Sequence, residues 1–147
     1  MQFLKKDSVQ GFTEYIGLIP VSLKPGEFTT RIKLDEHHIQ QDGFVHAGVI
    51  ATMADHTAGY AAYSLVPESH RILTIEYKIN YLQPAKGDLL ECKARVLRPG
   101  KQILITEAEV YSVQGKSRTL VAKAMHTMAS VPKDKVTHHK PSRPGHS

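Results

Sequence analysis

Residues 46–65 read HAGVIATMADHTAGYAAYSL. The run contains no Lys, Arg or Glu, and its only carboxylate is Asp55. At about 100° per residue, a helix here turns Val49, Ile50, Met53, Ala54, Ala58 and Ala61 to one side. Gly48, Ala51, Thr52, Asp55, Gly59 and Ala62 fall opposite, a stripe of small residues around one acid. A helix that is apolar or small all round is buried on most of its faces. It is too short to cross a bilayer once Asp55, His56 and the glycines are counted. A sheet must therefore wrap around it. Gly48 and Gly59 each cost roughly 1 kcal/mol in a helix, which calls for close contact along the small stripe, most simply with the same stripe of a second subunit.

The flanking sequence supplies the sheet. Residues 7–15 can form a short helix capped by Asp7 or Ser8. Residues 17–24 and 27–35 read as two strands joined at Pro25-Gly26. In 71–82, Leu73, Ile75, Tyr77, Ile79 and Tyr81 alternate with Thr74, Glu76, Lys78 and Asn80. That is period 2 with one wet face, the face holding Thr74. In 88–98, Leu90, Cys92, Ala94 and Val96 alternate with Glu91, Lys93 and Arg95. Segments 101–112 and 118–130 continue the series, and short turns at 84–87, at Pro99-Gly100 and around Gly115 make it an antiparallel meander. The expected class is α+β: about six antiparallel strands around one long helix.

The totals narrow the function. The 147 residues make one domain at roughly 100–200 residues each, assigned to 1–131. The 41% hydrophobic and 22% charged content is that of a globular chain, not of a disordered one or a membrane bundle. Net charge is +5. The segment from 132 to 147 carries +3 of it, from Lys133, Lys135, Lys140 and Arg143 against Asp134, and reads as a basic, disordered tail. A nearly balanced body without tryptophan argues against nucleic acid. One cysteine, Cys92, permits no internal disulfide. The N-terminus lacks the apolar core of a signal peptide, so the expected location is the cytoplasm. Nine histidines include no HExxH or similar i, i+4 pair, and no metal is expected.

Asp55 is the informative residue, because aspartate is a poor mid-helix residue and is rarely buried unpaired. It is a structural acid satisfied by His56 or a hydroxyl, a solvated residue at the helix edge, or a functional acid in a cleft.

The stretch 40–59, QQDGFVHAGVIATMADHTAG, resembles the hotdog-fold acyl-CoA thioesterases of the phenylacetate-degradation (PaaI) type. Their pattern is Asn-x-x-Gly-x-x-His-Gly-Gly, then six residues, then an acid on the central helix. Gly43, His46, Gly48 and Asp55 occupy matching positions, whereas Gln40 stands in place of Asn and Ala47 in place of the first Gly. The run TIEYKINYLQPAKGD resembles the family's next strand, with Thr74 where Ser or Thr often stands. The resemblance implies a hotdog fold, hydrolysis of an acyl- or aryl-acyl-CoA, and a site shared between subunits, with no cofactor beyond the coenzyme A of the substrate.

Thioester hydrolysis needs an activated water or nucleophile and donors for the oxyanion. The helix N-terminus offers the unpaired N–H groups near Ala47 and Gly48. Asp55 is the expected base or nucleophile. It lies eight residues after Ala47, about 12 Å along the axis, too far to act on a carbonyl held by its own helix tip. Two antiparallel helices about a two-fold axis bring Asp55 of one subunit to residues 46–48 of the other. A homodimer is then the minimum assembly, and a homotetramer is expected. Gln40 can hold the water or Asp55, or be a solvated loop residue. His46 can orient the thioester or cap the helix. Thr74 can fix the water. Lys86, Arg95, Arg98 and Lys101 are candidates for the coenzyme phosphates, or plain solvated charges. A hotdog hydratase or dehydratase, with a His paired to an acid across the dimer, and a non-catalytic acyl-CoA-binding domain are the competing functions.

Overall fold

The computed structural model describes residues 1–136. Two short helices, α1 (Gln2–Asp7) and α2 (Phe12–Tyr15), precede the strands β1 (Leu18–Lys24) and β2 (Glu27–Lys33). A 3-10 turn at Glu36–His38 leads to the long helix α3 (Ala47–Tyr63). The strands β3 (His70–Tyr81), β4 (Leu89–Pro99), β5 (Ile103–Gln114) and β6 (Ser117–Pro132) follow, with a last 3-10 turn at Lys133–Lys135. The six strands form one sheet in the order β1-β2-β4-β5-β6-β3, and every pairing is antiparallel.

The α+β class and the six-strand sheet around a central helix are as expected. α3 presses Ile50, Met53, Ala54, Ala58 and Ala61 into the sheet, where Phe28, Ile32, Leu90, Leu104, Val110 and Met128 complete the core. Five of the six residues expected on its apolar side are buried; Val49 is only half-buried, and Thr57 and Ala62, the latter expected on the opposite stripe, are buried with them. Removing a buried Met53 or Leu90 side chain would cost about 2–5 kcal/mol. The opposite stripe differs: Ala51, Thr52, Asp55 and Gly59 are only half-buried, and Gly48 is exposed. Both ends of the sheet order, β1 and β3, are edge strands.

Three expectations need correction. The helix expected over 7–15 with an Asp7 or Ser8 cap shrinks to α2 at 12–15, whose N-cap is Gly11 at φ +53, while Asp7 instead ends the separate helix α1. The tail was placed from 132, yet Pro132 still belongs to β6. The Lys133 N–H then donates to the Ser69 carbonyl at 2.8 Å. The remaining tail, 137–147, lies outside the described residues. The third concerns β3. A bulge between Thr74 and Glu76 adds one residue against β6, and an added residue reverses the facing of every side chain before it. Tyr77, Ile79 and Tyr81 face the helix side as the alternation predicts. Before the bulge the phase inverts: Ile72 is buried, Thr74 turns to the helix, and Leu73 and Ile75 are 46% and 57% exposed.

Candidate active site

Asp55 lies on the half-open stripe of α3, against the first half of β3. The Thr74 hydroxyl donates to Asp55 Oδ1 at 2.8 Å. The bulge at Ile75 makes that contact possible, since unbroken alternation would aim Thr74 away. His126 of β6 comes to the same oxygen from below, with Nε2 at 3.7 Å. Tyr77, paired with His126 across the ladder, lays its ring 5.1 Å from the imidazole. The Asp55 side chain is 37% exposed. It is thus held by a hydroxyl, as the structural reading expects, and still partly exposed, as a functional acid requires. His56 points away: its Nε2 lies 2.6 Å from the Ser8 carbonyl and anchors the α1–α2 segment.

The tip of α3 carries the other group of candidate residues. His46 is the N-cap residue, and its Nδ1 accepts the Gly48 N–H at 2.8 Å. Both N–H groups, of Ala47 and of Gly48, were expected to serve an oxyanion. The Gly48 donor is instead taken by the cap, and a Cβ on Gly48 would sit 3.0 Å from His46 Nδ1, a tight contact that would push on the capping ring. The Ala47 N–H has no acceptor among the described residues, and it points outward from the positive end of the helix. Tyr81, at the far end of β3, donates its hydroxyl to the Ala47 carbonyl at 3.1 Å. A cleft of about 340 Å³ opens beside Ala47, walled by Phe44, Val45, Ile50, Tyr81 and Leu82. Gln40 stands at its mouth, in a turn where its N–H donates to the Phe44 carbonyl. The positive φ of Gly43 is what closes that turn.

The candidate cations scatter. Lys86 follows Ala85 on the cleft wall. Arg98 sits opposite Ile105, and Lys101 lies in the β4–β5 turn, at the end of the sheet where Arg71 and Lys133 also lie. Arg95 is committed to Glu107 on the sheet's outer face, away from Asp55. The structure therefore joins Thr74 to Asp55 and places Gln40, His46, Ala47 and Gly48 together about 12 Å up the helix. It leaves Arg95 apart from both.

His126 was missed by the sequence reading. Its one signal is a lone imidazole in the inward row Ala122, Ala124, His126, Met128 of β6. Burial holds its pKa below the ordinary histidine value, and the negative charge of Asp55 works in the opposite direction.

The profile of the Thioesterase superfamily matches residues 42–119, more than half of the chain. The chain belongs to the thioesterase superfamily. A thioesterase family protein from Silicibacter pomeroyi superposes with a TM-score of 0.86 at 31% identity, covering 89% of this chain and 98% of that one. Human acyl-coenzyme A thioesterase 13 is 29% identical over 121 residues, 80% of this chain and 84% of its own length. The solved structure of a variant of the phenylacetic acid degradation protein PaaI from Thermus thermophilus, 23% identical, shares the fold with a TM-score of 0.69 over 80% of this chain and 96% of that one. The PaaI-type hotdog thioesterase resemblance is thereby upheld, and the enzyme is a thioester hydrolase. No helix among the described residues is long and apolar enough to cross a membrane.

Proposed function

We propose that this thioesterase hydrolyses an acyl- or aryl-acyl-CoA, with Asp55 as base or nucleophile and the Ala47 N–H of a partner subunit as oxyanion donor. The observation that carries the reading is the single carboxylate of α3, fixed by Thr74 and open toward the β3 edge.

The dimer follows from that edge. β3 offers 12 residues of unpaired backbone with Leu73, Ile75, Tyr77 and Tyr81 exposed, a surface that would aggregate unless covered. The helix tip rests at Tyr81 and Asp55 rests at Thr74. Antiparallel pairing of β3 with a second β3 about Lys78 matches Tyr77 with Ile79 and Glu76 with Asn80. The extra residue of the bulge then lets Thr74 fall opposite the partner's Tyr81 on the helix-facing side. Asp55 meets the free amide that its own helix keeps about 12 Å away. The cleft beside Ala47 receives apolar parts of the substrate, and Gln40 at its mouth can hold the attacking water. Arg98 and Lys101, with Lys86 nearer the cleft, are the cations assigned to the coenzyme phosphates. A homotetramer would add a second such dimer.

Thiol release from short, medium, long and aromatic acyl-CoAs tests the function. The wild type should cleave some of them, and Asp55→Asn should lose at least about 100-fold, roughly 3 kcal/mol of barrier. Equal rates remove Asp55 from the chemistry. Binding without turnover across the panel would favour a non-catalytic acyl-CoA-binding domain.

A further inference from the structure

The His126 side chain is fully buried, and neither ring nitrogen has a hydrogen-bond partner. Buried imidazoles are ordinarily satisfied, so such an orphan calls for an explanation. The groups around it are few. α3 contributes Asp55, whose Oδ1 lies 3.7 Å from Nε2. β3 contributes Thr74, bonded to that same oxygen, and the Tyr77 ring, packed at a tilt against the imidazole. β5 contributes Thr106, directly across the ladder, whose buried hydroxyl is also unpartnered. None of these is cationic, and burial favours the neutral ring.

We propose that His126 is a positioning residue that clamps Oδ1 of Asp55 together with Thr74, leaving Oδ2 as the oxygen that acts on the substrate. This rests on Asp55 being the reacting acid. A neutral imidazole has one N–H, and the nearby carboxylate selects the tautomer that carries it on Nε2. An approach of about 1 Å, as the site closes on substrate, turns the 3.7 Å separation into a charge-assisted hydrogen bond. With two donors on Oδ1, the carboxylate plane is fixed. In the base reading, Oδ2 takes a proton from water as the water oxygen bonds to the carbonyl carbon. Collapse then breaks the C–S bond, and the proton passes from Oδ2 to the departing sulfur. His126 keeps its own proton throughout. Tyr77, packed against the imidazole, belongs to the edge strand, so the clamp is continuous with the surface proposed to pair in the dimer.

Two readouts test this on the full-length protein. In kinetics with whichever acyl-CoA the wild type cleaves, His126→Phe should lower kcat about 10-fold or more with KM within about 2-fold. His126→Gln, which restores a side-chain N–H, should recover most of the loss. A Phe variant with wild-type kcat, or a Gln variant no better than Phe at equal melting temperature, overturns the proposal. The second readout needs neither turnover nor a folded His126 variant. Long-range proton–nitrogen NMR of the histidine rings should show the Nε2–H tautomer for His126, with a titration midpoint that moves to lower pH in Asp55→Asn. An Nδ1–H tautomer, or an unmoved midpoint, overturns it. Loss of activity on the whole acyl-CoA panel would sink the proposed function while leaving the tautomer measurement to judge the clamp alone.

Discussion

Thr74 shows how much a single side chain depends on its neighbour in the chain. By alternation alone it belongs with Glu76 and Lys78 in solvent; the bulge at Ile75 sends it to Asp55 instead. A hydrogen bond to a charged acceptor is worth about 1.5–3 kcal/mol, so Thr74→Val should cut kcat/KM by roughly 10- to 100-fold. Thr74→Ser should stay close to wild type, and a thiol-release assay on the three proteins decides it. Gly48 teaches the same lesson at the helix tip. The residue types of residues 46–48 announced a capped, donor-rich N-terminus, and one exists. Which N–H stays free depended on the His46 ring, whose rotamer no residue type specifies: it takes the Gly48 amide and leaves that of Ala47.

At the scale of elements, the α1–α2 segment is held to the far face of α3 by two polar ties. His56 Nε2 meets the Ser8 carbonyl, and the Tyr60 hydroxyl donates to the Asp7 carboxylate at 2.6 Å. Burial drives the Tyr60 pKa far above the ordinary tyrosine range, so this donor survives at any physiological pH. His56 behaves differently. Burial is the largest influence and lowers its pKa, while its bond to Ser8 and the charges of Asp55 and Asp7 oppose the shift. A histidine with a depressed folded pKa binds fewer protons folded than unfolded, and the same holds for His126. Stability from both is therefore full above about pH 6.5, the unfolded value, and is lost as pH falls through the lower folded values. The melting temperature should be flat from pH 8 to 7 and decline by on the order of a few degrees toward pH 5. His56→Gln should make that decline shallower. A scan showing no decline would contradict the burial of both rings.

At the scale of the molecule, the open β3 edge and the 12 Å between acid and amide ask for the same remedy. Light scattering should find a dimer or tetramer, and a clean monomer would dismantle the shared site. The pairing register has its own check. Lys78 lies next to the proposed axis, where directly opposed Cα atoms sit about 4.5–5.5 Å apart, within disulfide reach. Lys78→Cys should form a covalent dimer on mild oxidation. The only native cysteine, Cys92, is buried in the core and cannot substitute for it.

The amino-acid order alone determined the architecture of this thioesterase. An uncharged run can be a long helix only if a sheet covers it, and period-2 segments with short turns can be only an antiparallel sheet. It also singled out Asp55, because an acid in such a run demands a reason. Tertiary structure decided what surrounds that acid. His126 is 71 positions away in the sequence and reads there as one more inward residue of β6; only the wrapping of the sheet brings its nitrogen to 3.7 Å. Local pattern reports which face a residue prefers. Distances between faces are set by bulges, caps and strand order, where one inserted residue or one ring rotation reassigns a hydrogen bond without altering the pattern.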